Sequence, residues 1–257
     1  MLFDILTLFP QMFAGAFSES IIARAVQEGI VSINLDNIRD YTTDKHRKVD
    51  DYPYGGDPGM LMKPEPLTRA ICAARQRRSR QSPKVVFLTP QGALLTQDTV
   101  KQLAAEQCLI LVCGHYKGID QRIRDKYVDL EISVGDYVVS GGEVPAMMVV
   151  DAVTRLLPGA LGNEASAGRD SHFDGLLAPP EYTRPEEFEG MKVPEVLLSG
   201  HHERIRQWQQ QQAIELTKAM RPDLWQEYLR GQLSAVSGQR AQLREPDDRH
   251  TTTNNHT

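Results

Sequence analysis

Short apolar runs rich in β-branched residues alternate with stretches of helical periodicity over the first 160 residues. The runs predict strands at residues 3–9, 31–38, 85–88 and 109–112. The stretches between and after them predict helices at residues 18–27, 65–75, 96–106 and 144–157, with Thr96 as an N-cap. This alternation predicts an α/β fold with a parallel sheet and crossover helices.

The pattern changes after the last of these helices. Residues 161–180 have no period and are typical of a long functional connection. Beyond them, Ser199 is a candidate cap for a helix at residues 203–220 whose Ile205, Trp208, Ile214 and Leu216 would face a small core. We therefore expect a first domain at residues 1–160, a loop at 161–175, a small helical domain at 176–246 and a disordered tail at 247–257.

Composition and charge limit the function classes. Hydrophobic content of 40% and charged content of 25% are those of an ordinary soluble protein. We expect a cytoplasmic protein that makes no membrane association, because no apolar run approaches a membrane span and the N-terminus resembles a strand, not a signal peptide. A net charge of −5 argues against a broadly basic surface. Local basic clusters remain, which are either solvated faces or RNA contacts: residues 45–48, 75–80, Arg122/Arg124/Lys126 and Arg204/Arg206.

The usual cofactor and metal motifs are absent. No GxGxxG follows the first strand, and the chain has no GxxxxGK[ST], HExxH or CxxC, so no metal site is predicted. Cys72, Cys108 and Cys113 are expected to be reduced, structural thiols. His46, His201 and His202 lack metal-ligand spacing and are interpreted as surface or phosphate-facing residues.

Three glycine-rich turns follow predicted strands. They are FLTPQG at residues 87–92 (the first turn), CGHYKGID at 113–120 (the second turn) and VGDYVVSGGE at 134–143 (the third turn). Ligands of α/β sheets bind outside the carboxyl ends of the strands, where glycine lets the backbone approach closely. Each turn alone is also explained as an ordinary strand-to-helix corner. Together they predict one pocket.

The segments CGHYKGIDQRI, SVGDYVVSGGEVPAM and YTTDKHRKVDDYPYGGDPGMLMKPEP resemble the signatures of bacterial tRNA (guanine-N1)-methyltransferases, a SPOUT-class family, over about residues 3–208. The resemblance implies a SPOUT-type parallel sheet with a deep trefoil knot and transfer of the S-adenosylmethionine methyl group to N1 of guanosine 37, 3′ of the tRNA anticodon. Threaded chains are nearly absent from known folds, so only the resemblance supports the knot.

The resemblance also implies which residues hold the cofactor. They belong to the three turns and bind largely through backbone groups: Leu88, Thr89, Pro90, Gly114, Tyr116, Val134, Gly135, Asp136, Tyr137, Val138, Val139, Gly141 and Gly142.

Two further residues match catalytic positions of the family. Guanine N1 attacks a methyl group only as its proton leaves, which requires a positioned base, and Asp170 matches that base. Arg155 matches a cation that stabilises charge developing on guanine O6. Without the resemblance, a turn or helix cap would explain Asp170, and a helix C-terminus would explain Arg155.

Recognition of the anticodon stem-loop is expected mainly in residues 44–59, the glycine-rich segment. Lys45 and Arg47 would meet phosphates, while Asp50 and the Gly55–Gly56 turn would contact a splayed base. Further expected contacts are Gly59, Ser166 and Arg204. The resemblance also implies a homodimer in which the loop and helical unit of one protomer complete the pocket of the other.

Some positions depart from the family pattern. Lys117 stands where an acid is expected, which makes a magnesium ion possible but doubtful, because a cation repels the metal. His115, Asp57 and His172 replace an arginine, a glycine and a phenylalanine. Two alternatives therefore stay open: a knotted RNA-binding protein without catalysis, and a knotted methyltransferase with a different RNA target.

Overall fold

The computed structural model describes residues 1–162 and 170–242, with side chains described up to residue 232. Ser166 and the predicted tail at 247–257 lie outside the described residues. The chain forms two compact units that divide between residues 167 and 168, inside the predicted connection.

The first unit contains a five-stranded parallel sheet in the order β2-β1-β6-β5-β7 and a separate two-stranded ladder of β3 and β4. Its strands are β1 (Leu2–Thr7), β2 (Ser32–Asn37), β3 (Asp50–Asp51), β4 (Leu61–Met62), β5 (Lys84–Leu94), β6 (Cys108–Cys113) and β7 (Leu130–Ser133). Its α-helices are α1 (Phe13–Phe17), α2 (Ser20–Gln27), α3 (Pro64–Arg77), α4 (Gln97–Ala104), α5 (Gln121–Tyr127) and α6 (Glu143–Thr154).

Helices cover both faces of this sheet. Strand β6 is therefore apolar throughout, because its side chains are buried on both faces. Leu109, Leu111 and Cys113 pack into a cluster with α2, α4 and α6. Ile110 and Val112 pack into a second cluster with α3 and α5 on the opposite face. The α/β prediction with a parallel sheet is therefore confirmed.

The predicted elements of this unit are present with shifted ends. Helix α4 begins after Thr96, whose Oγ1 accepts a hydrogen bond from the Thr99 N–H at 3.3 Å, so the predicted cap is confirmed. Helix α6 ends three residues before its predicted end. Strand β5 runs beyond residue 88 to Leu94, because the chain resumes pairing with β7 after an irregularity.

Most of the basic clusters predicted in the first unit are used in ion pairs. The carboxylate of Asp4 is fully buried and receives two 3.0 Å hydrogen bonds from Arg78. Arg77 also pairs with Asp4, and Arg124 binds Glu131 through two bonds of 2.7 and 2.6 Å. These arginines neutralise buried or half-buried acids of the fold.

The second unit is a helical unit with a short hairpin. Its elements are β8 (Glu187–Phe188), β9 (Met191–Lys192), α7 (Glu195–Leu198), α8 (His202–Met220) and α9 (Pro222–Gln242). Among the described residues, no helix is long and apolar enough to cross a membrane.

Two details predicted for α8 are wrong. Ser199 does not cap α8, because it ends α7 and its hydroxyl donates to the Val196 carbonyl at 2.7 Å. Leu216 is exposed, and the buried positions of α8 are Ala213 and Thr217. These small side chains let residue 177 approach closely, since the Leu177 N–H donates to Thr217 Oγ1 at 2.9 Å.

Candidate active site

A cavity of about 310 Å³ opens at the carboxyl ends of β5, β6 and β7, which are neighbours in the sheet. All three glycine-rich turns line it. The cavity thus lies where parallel α/β sheets bind their ligands.

The first turn forms a bulge within β5. Leu88 and Ala93 both pair with Ile132 of β7, so the residues between them leave the ladder and project into the cavity wall. A Cβ at Gly92 would lie 2.4 Å from the backbone of Glu131 and Ile132. Only glycine fits where the backbone of β5 comes this close to the backbone of β7.

The second turn carries a backbone conformation that is rare for a large side chain. Tyr116 has a φ of +59° and a half-exposed ring in the cavity lining. The turn closes through a hydrogen bond from the Gly118 N–H to the His115 carbonyl at 2.9 Å. Such a left-handed residue costs on the order of 1 kcal/mol and is concentrated at functional sites.

The third turn packs directly on the second. The Gly142 N–H donates to the Gly114 carbonyl at 2.9 Å, and a Cβ at Gly142 would lie 2.6 Å from the Cys113 Cα. A Cβ at Gly141 would lie 2.3 Å from the His115 ring. Glycine is required at both positions for the two turns to meet.

A buried carboxylate fixes this junction. Glu143, in the first turn of α6, accepts a hydrogen bond from the Thr7 hydroxyl at 2.6 Å, and its other oxygen lies 2.7 Å from His115 Nε2. The Phe9 ring meets the His115 ring edge-on, with centroids 4.9 Å apart. Burial raises the pKa of the neighbouring Cys113 thiol, and the charge of Glu143 raises it further. His115 thus connects the second turn to α6.

The structure brings most of the predicted cofactor residues together. Gly135 and Asp136 are outside the cavity lining, and the other eleven line it. The lining includes further residues that the site prediction missed, although several belong to the quoted turns: Phe87, Gln91, His115, Lys117, Gly118, Ile132, Ser133, Ser140 and Pro145.

The second turn is also joined to the chain that follows the glycine-rich segment. The Lys117 N–H donates to the Met60 carbonyl at 3.0 Å, and the Met62 N–H donates to the Gly118 carbonyl at 3.1 Å. The Lys117 ammonium lies 3.6 Å from the Asp57 carboxylate. Lys117 and Asp57, two of the positions at which the resemblance leads us to expect other residues, therefore contact each other.

The residues predicted to contact tRNA in the glycine-rich segment have several different environments. Lys45 is exposed, whereas Arg47 forms an ion pair with Asp40. The Asp44 carboxylate accepts the His46 and Lys48 N–H groups, and these bonds hold its pKa below the usual value. Asp50 begins β3 and is half-buried.

Glycine is required for the turns of this segment, because Gly55, Gly56 and Gly59 have φ values of +96°, +80° and +104°. Arg204 lies on the exposed surface of α8 in the second unit.

The two predicted catalytic residues belong to different units. Arg155 is half-buried at the C-terminus of α6 in the first unit. Asp170 is exposed and belongs to the second unit, where it lines a cavity of about 260 Å³ together with Asp174 and Arg206. Within the described part of the chain, no group of three or more His, Cys, Asp or Glu side chains is arranged to hold a metal ion.

Comparison with known proteins places this geometry in a family. The profile of the tRNA (guanine-1)-methyltransferase TrmD family matches residues 1–227. The tRNA (guanine-N(1)-)-methyltransferase of Ruminiclostridium cellulolyticum is 52% identical over 225 residues, which is 88% of this chain and 96% of the relative. Its namesake in Geobacter sulfurreducens is 55% identical over 224 residues, 87% of this chain and 91% of the relative. The chain belongs to the tRNA (guanine-1)-methyltransferase family.

Proposed function

We propose that this protein transfers the methyl group of S-adenosylmethionine to N1 of guanosine 37 in tRNA, next to the anticodon. The observation that carries the proposal is the convergence of all three glycine-rich turns on one cavity, in a chain of this family. Its volume of about 310 Å³ is at the lower end of the range usual for small-molecule sites, roughly 300–1,000 Å³.

The residues present fit such a cofactor. Gly114, Gly141 and Gly142 keep side chains out of the wall, so that backbone groups can reach a ligand. Leu88 and Ile132 supply apolar contacts, and the cavity edge carries polar side chains. When bound, S-adenosylmethionine supplies an electrophilic methyl group on a sulfonium.

Two side chains would handle the charge of the guanine. Asp170 would remove the N1 proton, since a carboxylate within hydrogen-bond reach of that proton makes N1 a competent nucleophile. Arg155 would stabilise the negative charge that develops on O6. The target base must leave its stack to reach the methyl donor.

The proposal includes the arrangement that the family resemblance implies. The chain would form a symmetric dimer in which the loop and second unit of one protomer complete the pocket of the other. The region from the first turn to α6 would form a trefoil knot, as the family resemblance implies. The second unit would bind tRNA, and the protein would act in the cytoplasm.

The role of Asp170 is tested by Asp170→Asn, which keeps the shape of the side chain and removes the base. We expect cofactor affinity, measured by calorimetry, to stay near that of the wild type, and single-turnover methyl transfer to fall at least about 100-fold. Asp174→Asn is the matched control, because it removes a carboxylate four residues away in the same unit. A near-normal rate for Asp170→Asn would overturn its assignment as the base. Binding of cofactor and tRNA by the wild type with no transfer would indicate an RNA-binding protein without catalysis.

A further inference from the structure

The glycine-rich segment presents a tyrosine that packs against nothing in the described fold. Tyr54 is fully exposed, at 101% of its reference accessibility, and directly precedes the Gly55–Gly56 turn. A large aromatic side chain with no packing contributes little to the stability of the fold, since that contribution comes from buried area. Its whole ring is therefore available to a ligand.

Although its ring is exposed, the chain on both sides of Tyr54 is anchored. On the N-terminal side, Asp50 pairs with Met62, and the Lys63 N–H donates to the Val49 carbonyl at 2.7 Å. On the C-terminal side, Met60 accepts the hydrogen bond from Lys117. The ring is therefore held on a short tether, and ordering it costs less entropy than ordering a free loop would.

The anchoring also places Tyr54 near the cavity. It is three residues from Asp57, so the two Cα atoms are at most about 11 Å apart. Asp57 in turn pairs with Lys117, which lines the cavity. A nucleotide beside one held in the cavity would be within reach of this ring.

A cation lies within electrostatic range of Tyr54. The guanidinium of Arg122, at the start of α5, interacts electrostatically with Tyr54, and its side chain is 73% exposed. Arg122 binds Asp120 through two hydrogen bonds of 2.8 and 2.7 Å, and most of its side chain remains exposed to solvent. An exposed aromatic face with a cation in electrostatic range suits a nucleotide, which presents a base to stack and a phosphate to neutralise.

We propose that Tyr54 is a stacking platform for an unstacked base of the anticodon loop that flanks the target guanine. This inference rests on the proposed tRNA substrate and adds a binding residue to the site. RNA is recognised largely at splayed bases stacked on aromatic side chains. Loss of one such stack weakens binding by about 5- to 150-fold.

The test compares Tyr54→Ala, Tyr54→Leu and Tyr54→Phe in the full-length protein, with a tRNA transcript and with its isolated anticodon stem-loop. For Ala and Leu we expect kcat/KM for tRNA to fall by about 5- to 150-fold, since Leu keeps apolar bulk but has no flat face. Phe should stay within about threefold of the wild type, because it keeps that face. The KM for S-adenosylmethionine and the melting temperature should not change in any of the variants.

Tyr52→Ala is the matched control. Tyr52 is also strongly exposed, at 78%, but it lies two residues further along the chain from Asp57, which pairs with Lys117 of the cavity lining. We expect its kcat/KM to stay within about threefold of the wild type. A full rate for Tyr54→Ala, or a Leu variant as active as the Phe variant, would overturn the stacking role.

Two other outcomes can be distinguished from loss of a stacking contact. A Tyr54→Ala protein that becomes monomeric in light scattering would show that the ring contacts a second copy of the chain, and would overturn the proposal. If the wild type transfers no methyl group, the proposed function fails. Affinities of the same variants for the labelled stem-loop, measured by anisotropy, would then still decide whether Tyr54 stacks on RNA.

Discussion

The ammonium of Lys117 lies 3.6 Å from the carboxylate of Asp57, across the contact between the second turn and the glycine-rich segment. From the sequence resemblance, an acid is expected at position 117 and a glycine at position 57. Their contact makes Lys117 and Asp57 an ion pair, because the positive charge faces the negative one.

This pairing predicts non-additive effects in a double-mutant cycle. Lys117→Glu places two acids opposite each other, and adding Asp57→Gly removes the repulsion. The double variant should therefore be more active than Lys117→Glu alone. Both side chains are largely exposed, so the coupling should be small, about 0.2–1 kcal/mol or a factor of about 1.5 to 5 in kcat/KM. It should shrink in high salt. Strict additivity at low salt would contradict the pairing.

Gly142→Ala should disrupt the cofactor cavity. The new methyl carbon would lie 2.6 Å from the Cys113 Cα and 2.9 Å from the Gly114 nitrogen, and neither backbone atom can move independently of the sheet. We expect cofactor affinity to fall at least about tenfold, as measured by calorimetry. Gly15→Ala is the control, because a Cβ there meets no atom within 4 Å. Wild-type affinity in Gly142→Ala would show that the turns need no such contact.

Two fully buried threonines should respond in opposite ways to replacement by valine. Thr154 Oγ1 has no hydrogen-bond partner among the described residues, so Thr154→Val should raise the free energy of unfolding by about 1 kcal/mol. Thr217 donates to the Ala213 carbonyl at 2.7 Å and accepts from Leu177. Thr217→Val should lower that free energy by about 1–3 kcal/mol. Chemical denaturation of both variants measures the difference, and equal losses would contradict this assignment.

The three thiols should differ in reactivity. Cys72 is exposed, whereas burial raises the pKa of Cys108 to about 11 and that of Cys113 well above its usual value. A raised pKa keeps a thiol protonated and unreactive at neutral pH. Iodoacetamide at about pH 7.5 should therefore add one group to the native protein and three after denaturation, as counted by intact mass. Rapid modification of Cys113 in the native state would contradict its burial.

The sequence predicted the α/β class and the position of the pocket for local reasons. Apolar runs identify strands covered on both faces, and glycines mark where those strands end. It could not predict that Leu88 and Ala93 share one partner across a bulge, since register depends on the neighbouring strand. The partners of Arg78 and Lys117 were also hidden, because they are far apart in the chain.

Long-range contacts made by site residues outside the cavity lining could not be predicted from the sequence either. Glu143 follows a recognisable glycine pair, yet its contacts to Thr7 and His115 come from elements 136 and 28 residues away. The family signature identified the turns, but no local pattern indicated that a buried carboxylate connects them.

The most direct test of the proposed function is methyl transfer from labelled S-adenosylmethionine to two tRNA transcripts that differ only at position 37. One carries guanosine there and the other adenosine. We predict label in the guanosine transcript alone, recovered as 1-methylguanosine after nuclease digestion. Equal label in both transcripts, or label recovered at another nucleotide, would contradict the assignment of guanosine 37 as the target.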